Sequence, residues 1–294
     1  MDAGVPIVAL ESSVLAQGLP VPHNAEAARR MAASVEATGA IPAITAVVCG
    51  APSLGLDGGD LERFLRRDGI RKLSSRDLAS AVVDRADGAT TVAGAIAIAA
   101  LAGVRTLATG GIGGVHRRLP GDESAARDES ADLHEMARTP MIVVCSGAKS
   151  ILDLGATWER LDSLGIPVVG VRTDEFPAFY AARSGIPLTT VVDRASDAAR
   201  LAATHFALGR TQSVLVVQPP PANVALDGET VERAVATALA SASREGVRGA
   251  AVTPYLLAAV SKETAGQSLN TNLALLEANA RLAGEIAVAV ASAV

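Results

Sequence analysis

The chain has 294 residues, a formal net charge of −5 and only 2% aromatic residues, although 49% of its residues are hydrophobic. It is long enough to bury a large core built mainly from Ala, Val, Leu and Ile, which is typical of parallel strands covered by helices. The mild charge and the lack of a basic block argue against a nucleic-acid-binding protein. There is no signal-peptide pattern, and the most apolar segment, about 91–103, is too short to cross a membrane, so we expect a soluble, cytoplasmic protein.

Apolar runs that predict buried strands recur along the chain and are mostly separated by segments with helical patterning. The predicted strands are 5–10, 44–49, 104–108, 141–145, 168–171, 188–192 and 213–217. The predicted helices are 24–38, 57–69, 197–208, 227–244 and 268–294. Because strands alternate with helices, we predict an α/β fold, a three-layer α/β/α sandwich with a mostly parallel, mixed central sheet, in a single domain over 1–294.

Three predicted strands are followed by residues that can do chemistry. Glu11 follows the first strand, the glycine-rich segment 110–114 follows the third, and Lys149 follows the fourth. Ligands of open α/β sheets bind beyond the carboxyl ends of the strands, so we expect these groups to meet at one edge. Partial burial would favour the protonated form of Glu11, as a general acid requires. A strand-end glutamate that only caps a loop amide is an equally common alternative.

Lysine is rare in this chain, because only Lys72, Lys149 and Lys262 occur among 26 basic residues. An amine can lose its proton and form an imine, which a guanidinium cannot do. We predict that Lys149 lies in the first turn of a helix, where the positive helix N-terminus favours the uncharged, nucleophilic amine. Two alternatives stay open, a contact with phosphate or an i,i+4 pair with Asp153. Lys262 lies in a polar stretch and is predicted to be a solvated surface residue.

Two further patterns suggest a metal ion and a phosphate group. Asp128 and Asp132 are spaced i,i+4, and oxygen ligands without clustered His or Cys suit Mg²⁺ or Mn²⁺. The alternative is that acids at the start of a helix interact with the helix dipole, which is their usual explanation.

The segment 110–114 offers backbone N–H groups to an anion but matches neither a Walker loop nor a dinucleotide fingerprint. The segment 88–91, ahead of an apolar helix, is a second candidate phosphate site. His116 could contact a polar ligand or lie solvated in a loop.

Several of these segments also form a recognisable set, in order, through nearly the whole chain. They are 9–13, 18–20 with Pro22 and Asn24, 76–77, 88–93, 108–117, 130–133, 145–153, 253–254 and 269–273. Together they resemble the pseudouridine-5′-phosphate glycosidase family, also called the indigoidine synthase A family, and the glycine and lysine motifs are the most specific. The chain differs from the family pattern at Gln17, where His is common, and in a longer loop at 118–127.

The resemblance implies reversible cleavage of the carbon–carbon glycosidic bond of pseudouridine 5′-phosphate to uracil and ribose 5-phosphate, with a small-molecule nucleotide as substrate and neither nucleic acid nor membrane as partner. Lys149 would form a Schiff base with C1′, Glu11 would donate a proton, and Asp128 would bind a divalent cation, with Mn²⁺ favoured over Mg²⁺. The residues that would hold substrate are Lys72, Val92, Ser130, Ala131 and Asp132, with His116 and Asn272 near the base.

The resemblance also implies a homotrimer. Two alternatives remain from the residues alone. One is a Schiff-base lyase or aldolase that acts on another sugar phosphate or C-nucleotide. The other is a nucleotide-binding protein without catalytic activity, which the presence of both Lys149 and Glu11 disfavours.

Overall fold

The computed structural model describes residues 4–118, 127–248 and 251–292. Within these residues the strands are β1 (Ile7–Leu10), β2 (Ile41–Val48), β3 (Ala51–Leu54), β4 (Arg71–Leu73), β5 (Gly88–Thr90), β6 (Thr106–Ala108), β7 (Ile142–Cys145), β8 (Val168–Val171), β9 (Val191–Val192) and β10 (Val214–Val217). The helices are α1 (His23–Glu36), α2 (Gly58–Arg66), α3 (Leu78–Val83), α4 (Val92–Leu101), α5 (Ala131–Met136), α6 (Leu154–Ser163), α7 (Ala195–Ala207), α8 (Gly228–Arg244), α9 (Val252–Glu263) and α10 (Gln267–Ser292).

The strands form one mixed sheet in the order β4-β5-β2-β1-β6-β7-β10-β8-β9, with β3 paired to β2. The strands from β2 through β1, β6, β7 and β10 to β8 and β9 are parallel to their neighbours, whereas β3 and β5 run antiparallel to β2. The carboxyl ends of β1, β6, β7 and β10 therefore lie along the same edge of the sheet. The predicted α/β fold with a mostly parallel sheet is confirmed.

Helices cover both faces of the central strands. The long helix α10 packs on α1 and α7 and contacts β1, β6 and β7, while α4 contacts β1, β2 and β6 and packs on α5. Because α4 and α10 both contact β1 and β6 but scarcely contact each other, they lie on opposite faces and produce three layers. Every residue of β7 and β10 is buried, which explains why both strands are unbroken apolar runs.

Most of the predicted long elements are present with small shifts at their ends. The helix start at 227 is accurate because the Asp227 carboxylate accepts a hydrogen bond from the Thr230 N–H, which is typical of an N-cap. The strands β3, β4 and β5 and the helices α3 and α9 were not predicted. The segment 88–91, the second candidate phosphate site, forms β5 and the N-cap of α4, where the Thr91 side chain accepts from the Gly94 N–H.

Two local predictions are wrong. Lys149 does not lie in the first turn of a helix, because Ala148 pairs with Ile112 and α6 starts only at Leu154. The i,i+4 spacing of Asp128 and Asp132 does not place them on one helix face either, because α5 begins at Ala131 and Glu129 pairs with Val115, directly after the glycine-rich segment. In both cases long-range backbone pairing replaces the helix that the local pattern favours. Most of the longer loop at 118–127, namely 119–126, lies outside the described residues.

No helix in the described part of the chain combines the length and the hydropathy that a bilayer-spanning segment needs.

Candidate active site

A cavity of about 610 Å³ opens at the sheet edge where β1, β6 and β7 end. The residues predicted for the site all line it, although they come from segments spread over most of the chain. They are Glu11, Lys72, Val92, His116, Asp128, Ser130, Ala131, Asp132, Lys149 and Asn272. The structure thus brings the predicted residues together, while the role of each one stays a prediction.

Glu11 follows β1 directly, lines the cavity and is 4% exposed. The Ser13 hydroxyl donates to Oε2 over 2.7 Å, and the Thr109 hydroxyl donates to Oε1. Thr109 follows β6, the parallel neighbour of β1, so the pairing of these two strands sets the second contact. Both carboxylate oxygens are therefore fixed in orientation.

Lys149 reaches the cavity from the turn that follows β7. Its Nζ donates to the carbonyl oxygen of Gly111 over 2.8 Å, and its backbone N–H donates to Ile112 O over 3.1 Å. The turn is compact, since a Cβ on Gly147 would lie 2.0 Å from a backbone oxygen and Gly147 has a φ of 78°. The alternative pair with Asp153 is absent, because that carboxylate caps α6 and pairs with Arg127 at 3.1 Å.

Asp132 fixes the opposite wall of the cavity. It is 4% exposed, and its two carboxylate oxygens accept the N–H groups of Ala93 at 2.9 Å and of Gly113 at 2.8 Å. One carboxylate therefore joins the start of α4 to the glycine-rich segment and to α5. The close approach requires glycine at 113, where a Cβ would lie 2.1 Å from the Ser130 hydroxyl.

The cavity also holds a second amine and an imidazole. Burial and the charge of Lys149 lower the pKa of Lys72, against the opposing effect of Glu11 and Asp132. Burial lowers the pKa of His116 below 6.5, and the charges of the lysines act in the same direction, while Asp128 opposes them. His116 is consequently a neutral imidazole at neutral pH, able to accept or donate one hydrogen bond.

The carboxylates suit only one type of metal site. Asp128 is exposed at the cavity, whereas Glu129 accepts from Arg160 at 2.8 Å and Asp132 is held by backbone N–H groups. Across 4–118, 127–248 and 251–292 there is no cluster of three or more His, Cys, Asp or Glu residues able to hold a metal ion. This donor set fits a hydrated hard cation that keeps several waters, as Mg²⁺ does, and does not fit a closed site made only of protein ligands.

The structure adds residues that the sequence did not single out. Thr109 was detectable, because it follows a predicted strand in the same way as Glu11. Phe179 was not detectable, because its position depends on a left-handed backbone, with a φ of 64°, and on packing against a distant glycine. Its ring would lie 2.6 Å from a Cβ on Gly111. Asn272 lines the cavity, and its amide oxygen, close to Gly110, is buried and has no hydrogen-bond partner among the described residues.

Comparison with known proteins identifies the family of this chain. Residues 1–289 match the family model described as "Indigoidine synthase A like protein". The chain belongs to the indigoidine synthase A-like family. Among curated members, a protein of Gemmatimonas aurantiaca named pseudouridine-5′-phosphate glycosidase is 60% identical over 98% of this chain and 92% of the relative. One of Chloroflexus aurantiacus with the same name is 50% identical over 98% and 94%.

Two solved structures of similar proteins extend the comparison. An indigoidine synthase A-like protein of Thermotoga maritima superposes with a TM-score of 0.90 at 33% identity, covering 99% of this chain and 95% of that one. The prealnumycin C-glycosynthase AlnA, in complex with ribulose 5-phosphate, superposes with a TM-score of 0.88 at 40% identity, covering 98% and 92%. The family, predicted from the motifs, is confirmed.

Proposed function

We propose that this protein is a pseudouridine-5′-phosphate glycosidase that reversibly cleaves the carbon–carbon glycosidic bond to give uracil and ribose 5-phosphate. The main support is that Lys149 and Glu11 line one cavity at the ends of β7 and β1, in a chain 60% identical to a protein named for this activity. The amine and the acid are the two groups that this bond cleavage requires.

The mechanism follows from the poor leaving group, since C1′ is bonded to a carbon atom of uracil rather than to nitrogen. Lys149 first loses a proton to water. Glu11 then protonates the ring oxygen O4′ while the uncharged Nζ of Lys149 adds to C1′, which breaks the C1′–O4′ bond and opens the ribose ring. The nitrogen is cationic after this attack, and the Glu11 carboxylate left by the first step takes a proton from it and returns that proton at uracil C5. The freed lone pair on nitrogen can then break the C1′–C5 bond. Uracil leaves with the bonding electrons, C1′ becomes a lysine imine of ribose 5-phosphate, and water releases the sugar.

The contacts of the two residues suit these roles. The Gly111 carbonyl accepts one N–H of Lys149, which fixes the nitrogen and, in the uncharged amine, leaves its lone pair for attack on carbon. The hydroxyls of Ser13 and Thr109 hold the Glu11 carboxyl in one orientation. Fixing both groups before the substrate binds reduces the entropy lost on reaching the transition state.

The other cavity residues would hold the nucleotide. Lys72 would attract the phosphate, and the N–H groups near Val92 and Ser130–Asp132 would bind the sugar phosphate, supplying binding energy remote from C1′. An N–H group of uracil would satisfy the unpartnered oxygen of Asn272, with His116 on the same base. Leaving such a buried acceptor unsatisfied costs about 1–3 kcal/mol, so this contact favours a ligand with a suitable donor.

The proposal includes Mn²⁺ held by Asp128 and water, which would neutralise negative charge near the substrate. It also includes assembly as a homotrimer that acts in the cytoplasm, as the family resemblance implies. Light scattering on the purified protein tests the trimer. Activity measured after chelation and after return of Mn²⁺ tests the cofactor.

Borohydride reduction in the presence of ribose 5-phosphate tests the central step. Because the chain has three lysines, peptide mapping assigns any adduct. We expect an adduct on Lys149 that Lys149→Arg abolishes, whereas Lys262→Arg, on the exposed side of α9, retains it. No adduct in the wild type, or one that survives Lys149→Arg, contradicts the Schiff-base mechanism.

A second candidate is carbon–carbon bond formation or cleavage with a different aglycone, because a relative at 40% identity is named a C-glycosynthase. Incubation with ribose 5-phosphate and uracil separates the two. Formation of pseudouridine 5′-phosphate supports the first proposal. A ribose 5-phosphate adduct on Lys149 without any product from uracil supports another C-nucleotide or a lyase, and binding without adduct or turnover supports a non-catalytic protein.

A further inference from the structure

A fully buried amide on α10 joins the ends of the central strands. The side chain of Asn279 is 0% exposed, and its Nδ2 donates to Thr109 O over 2.9 Å and to Gly110 O over 3.3 Å. The same nitrogen lies 3.2 Å from the Ser146 hydroxyl, and Oδ1 accepts from Nε2 of Gln218 over 3.0 Å. These partners follow β6, β7 and β10 directly, so one side chain holds three adjacent strand ends.

The segments that Asn279 holds are those that present the two reacting groups. The hydroxyl of Thr109 donates to Glu11, and the Gly111 carbonyl accepts from Lys149. Ser146 begins the turn to Lys149, and its N–H donates to Gly110 O over 2.9 Å. A shift of the Thr109–Gly111 segment would therefore move the hydrogen-bond partners of both the acid and the amine.

Asn279 does not line the cavity, so it acts through its neighbours rather than by contact with substrate. A buried amide costs free energy unless its polar groups are bonded, whereas Leu would pack there without that requirement. Here both ends of the amide are bonded, which makes the network rigid and specific. Its partners are strand-end polar groups, not residues of α10 itself.

We propose that Asn279 is a positioning residue that sets the relative placement of Glu11 and Lys149. This inference rests on the proposed function, because it assigns those two residues to bond cleavage. The prediction is that disturbing Asn279 lowers the rate of the covalent step much more than it weakens binding of the sugar phosphate.

Asn279→Asp tests the proposal, because it keeps the size of the side chain but turns a carboxylate oxygen toward the carbonyls of Thr109 and Gly110. We expect kcat and the rate of borohydride-trappable imine formation to fall by about 30- to 100-fold, while the Kd of ribose 5-phosphate changes less than about threefold. Asn270→Asp, the same change at an exposed position of α10, should leave both quantities unchanged.

Each outcome supports or overturns the role of Asn279 or the proposed function. If the wild type is active and Asn279→Asp has an unchanged kcat, the inference about Asn279 is overturned while the proposed function stands. The same holds if the loss of kcat is matched by an equal loss of binding, because a general structural defect would produce that result. If Asn279→Asp does not fold, Gln218→Leu replaces it, with kcat lowered at retained Kd in support and an unchanged kcat against. A wild type that neither cleaves pseudouridine 5′-phosphate nor forms the adduct overturns the proposed function, and the inference with it.

Discussion

The two sides of the cavity are built differently. On the side of Glu11 and Lys149, which we term the strand-end side, the reacting groups follow β1 and β7 and are held by hydroxyl and carbonyl partners. On the side of His116 and Asp128, termed the loop side, Asp128 is exposed and is placed by backbone pairing, with its carbonyl accepting the His116 N–H over 2.9 Å.

This difference separates two requirements. Covalent chemistry needs atoms placed to within a fraction of an ångström, and the sheet, with its buried strands, supplies that rigidity. Recognition of a base or a hydrated cation tolerates more adjustment, and the loop side can change without disturbing the strands. We therefore expect substitutions on the strand-end side to lower the rate of the covalent step, and those on the loop side to alter metal or base dependence.

The largest effect after loss of Lys149 itself is expected for Glu11→Gln. The amide keeps the shape of the side chain and an acceptor for Thr109 but cannot transfer the proton, so kcat should fall by about 10²- to 10⁴-fold with binding of ribose 5-phosphate retained. Steady-state kinetics and calorimetry measure the two quantities. Glu135→Gln, at a buried glutamate paired with Arg138 outside the cavity, is the control. A kcat within about threefold of wild type would contradict the assignment of Glu11.

A smaller effect, divided between binding and stability, is expected for Asp132→Asn. One of the two backbone N–H donors, from Ala93 or Gly113, would then face an amide NH₂ group, so the free energy of unfolding should fall by about 1–3 kcal/mol. KM should rise by about tenfold because the start of α4 and the glycine-rich segment separate. Urea unfolding and kinetics test this. Asp227→Asn should change neither quantity, because it keeps a good N-cap on α8 at a residue that does not line the cavity. An unchanged KM in Asp132→Asn would show that this wall does not bind substrate.

The strand-end side was predictable because its information is local. A run of apolar residues indicates a strand, parallel strands share their carboxyl edge, and the residue after each run is then placed at that edge. This logic placed Glu11, the segment 110–114 and Lys149 correctly. The helix predicted at Lys149 failed, because Ala148 pairs with Ile112, a residue far away in the sequence.

What could not be predicted from local patterns depends on contacts between distant segments. Asn279 lies 170 positions from Thr109, and nothing in the apolar period of α10 indicates which polar residue faces the strand ends. Lys72 was assigned to the cavity by family resemblance alone, since β4 is only three residues long and has no clear strand pattern. Short edge strands carry too few residues for periodicity to identify them.

On the loop side, Asp128→Asn should raise the Mn²⁺ concentration needed for half-maximal activity by about tenfold, with little change in kcat at saturating metal. The reason is that the neighbouring carboxylates of Glu129 and Asp132 are already engaged and cannot replace the lost ligand. A titration of chelated enzyme with Mn²⁺ measures the effect, and Glu129→Gln serves as the matched control. Unchanged metal dependence in Asp128→Asn would remove the cation from this position.

The smallest expected effect concerns the protonation of His116. Burial, together with the charges of Lys149 and Lys72, lowers its pKa, so NMR should show the imidazole titrating below its ordinary value of 6.5. Asp128→Asn should lower the midpoint further, because that carboxylate opposes the shift. Because its pKa is lowered on folding, His116 binds a proton more readily in the unfolded chain than in the folded protein. The free energy of unfolding therefore falls as the pH drops below 6.5 toward the folded pKa. His116→Asn should show less of this loss. A midpoint at or above 6.5 would mean that water reaches His116 more freely than its burial implies. A charged imidazole, not a neutral one, would then face the base.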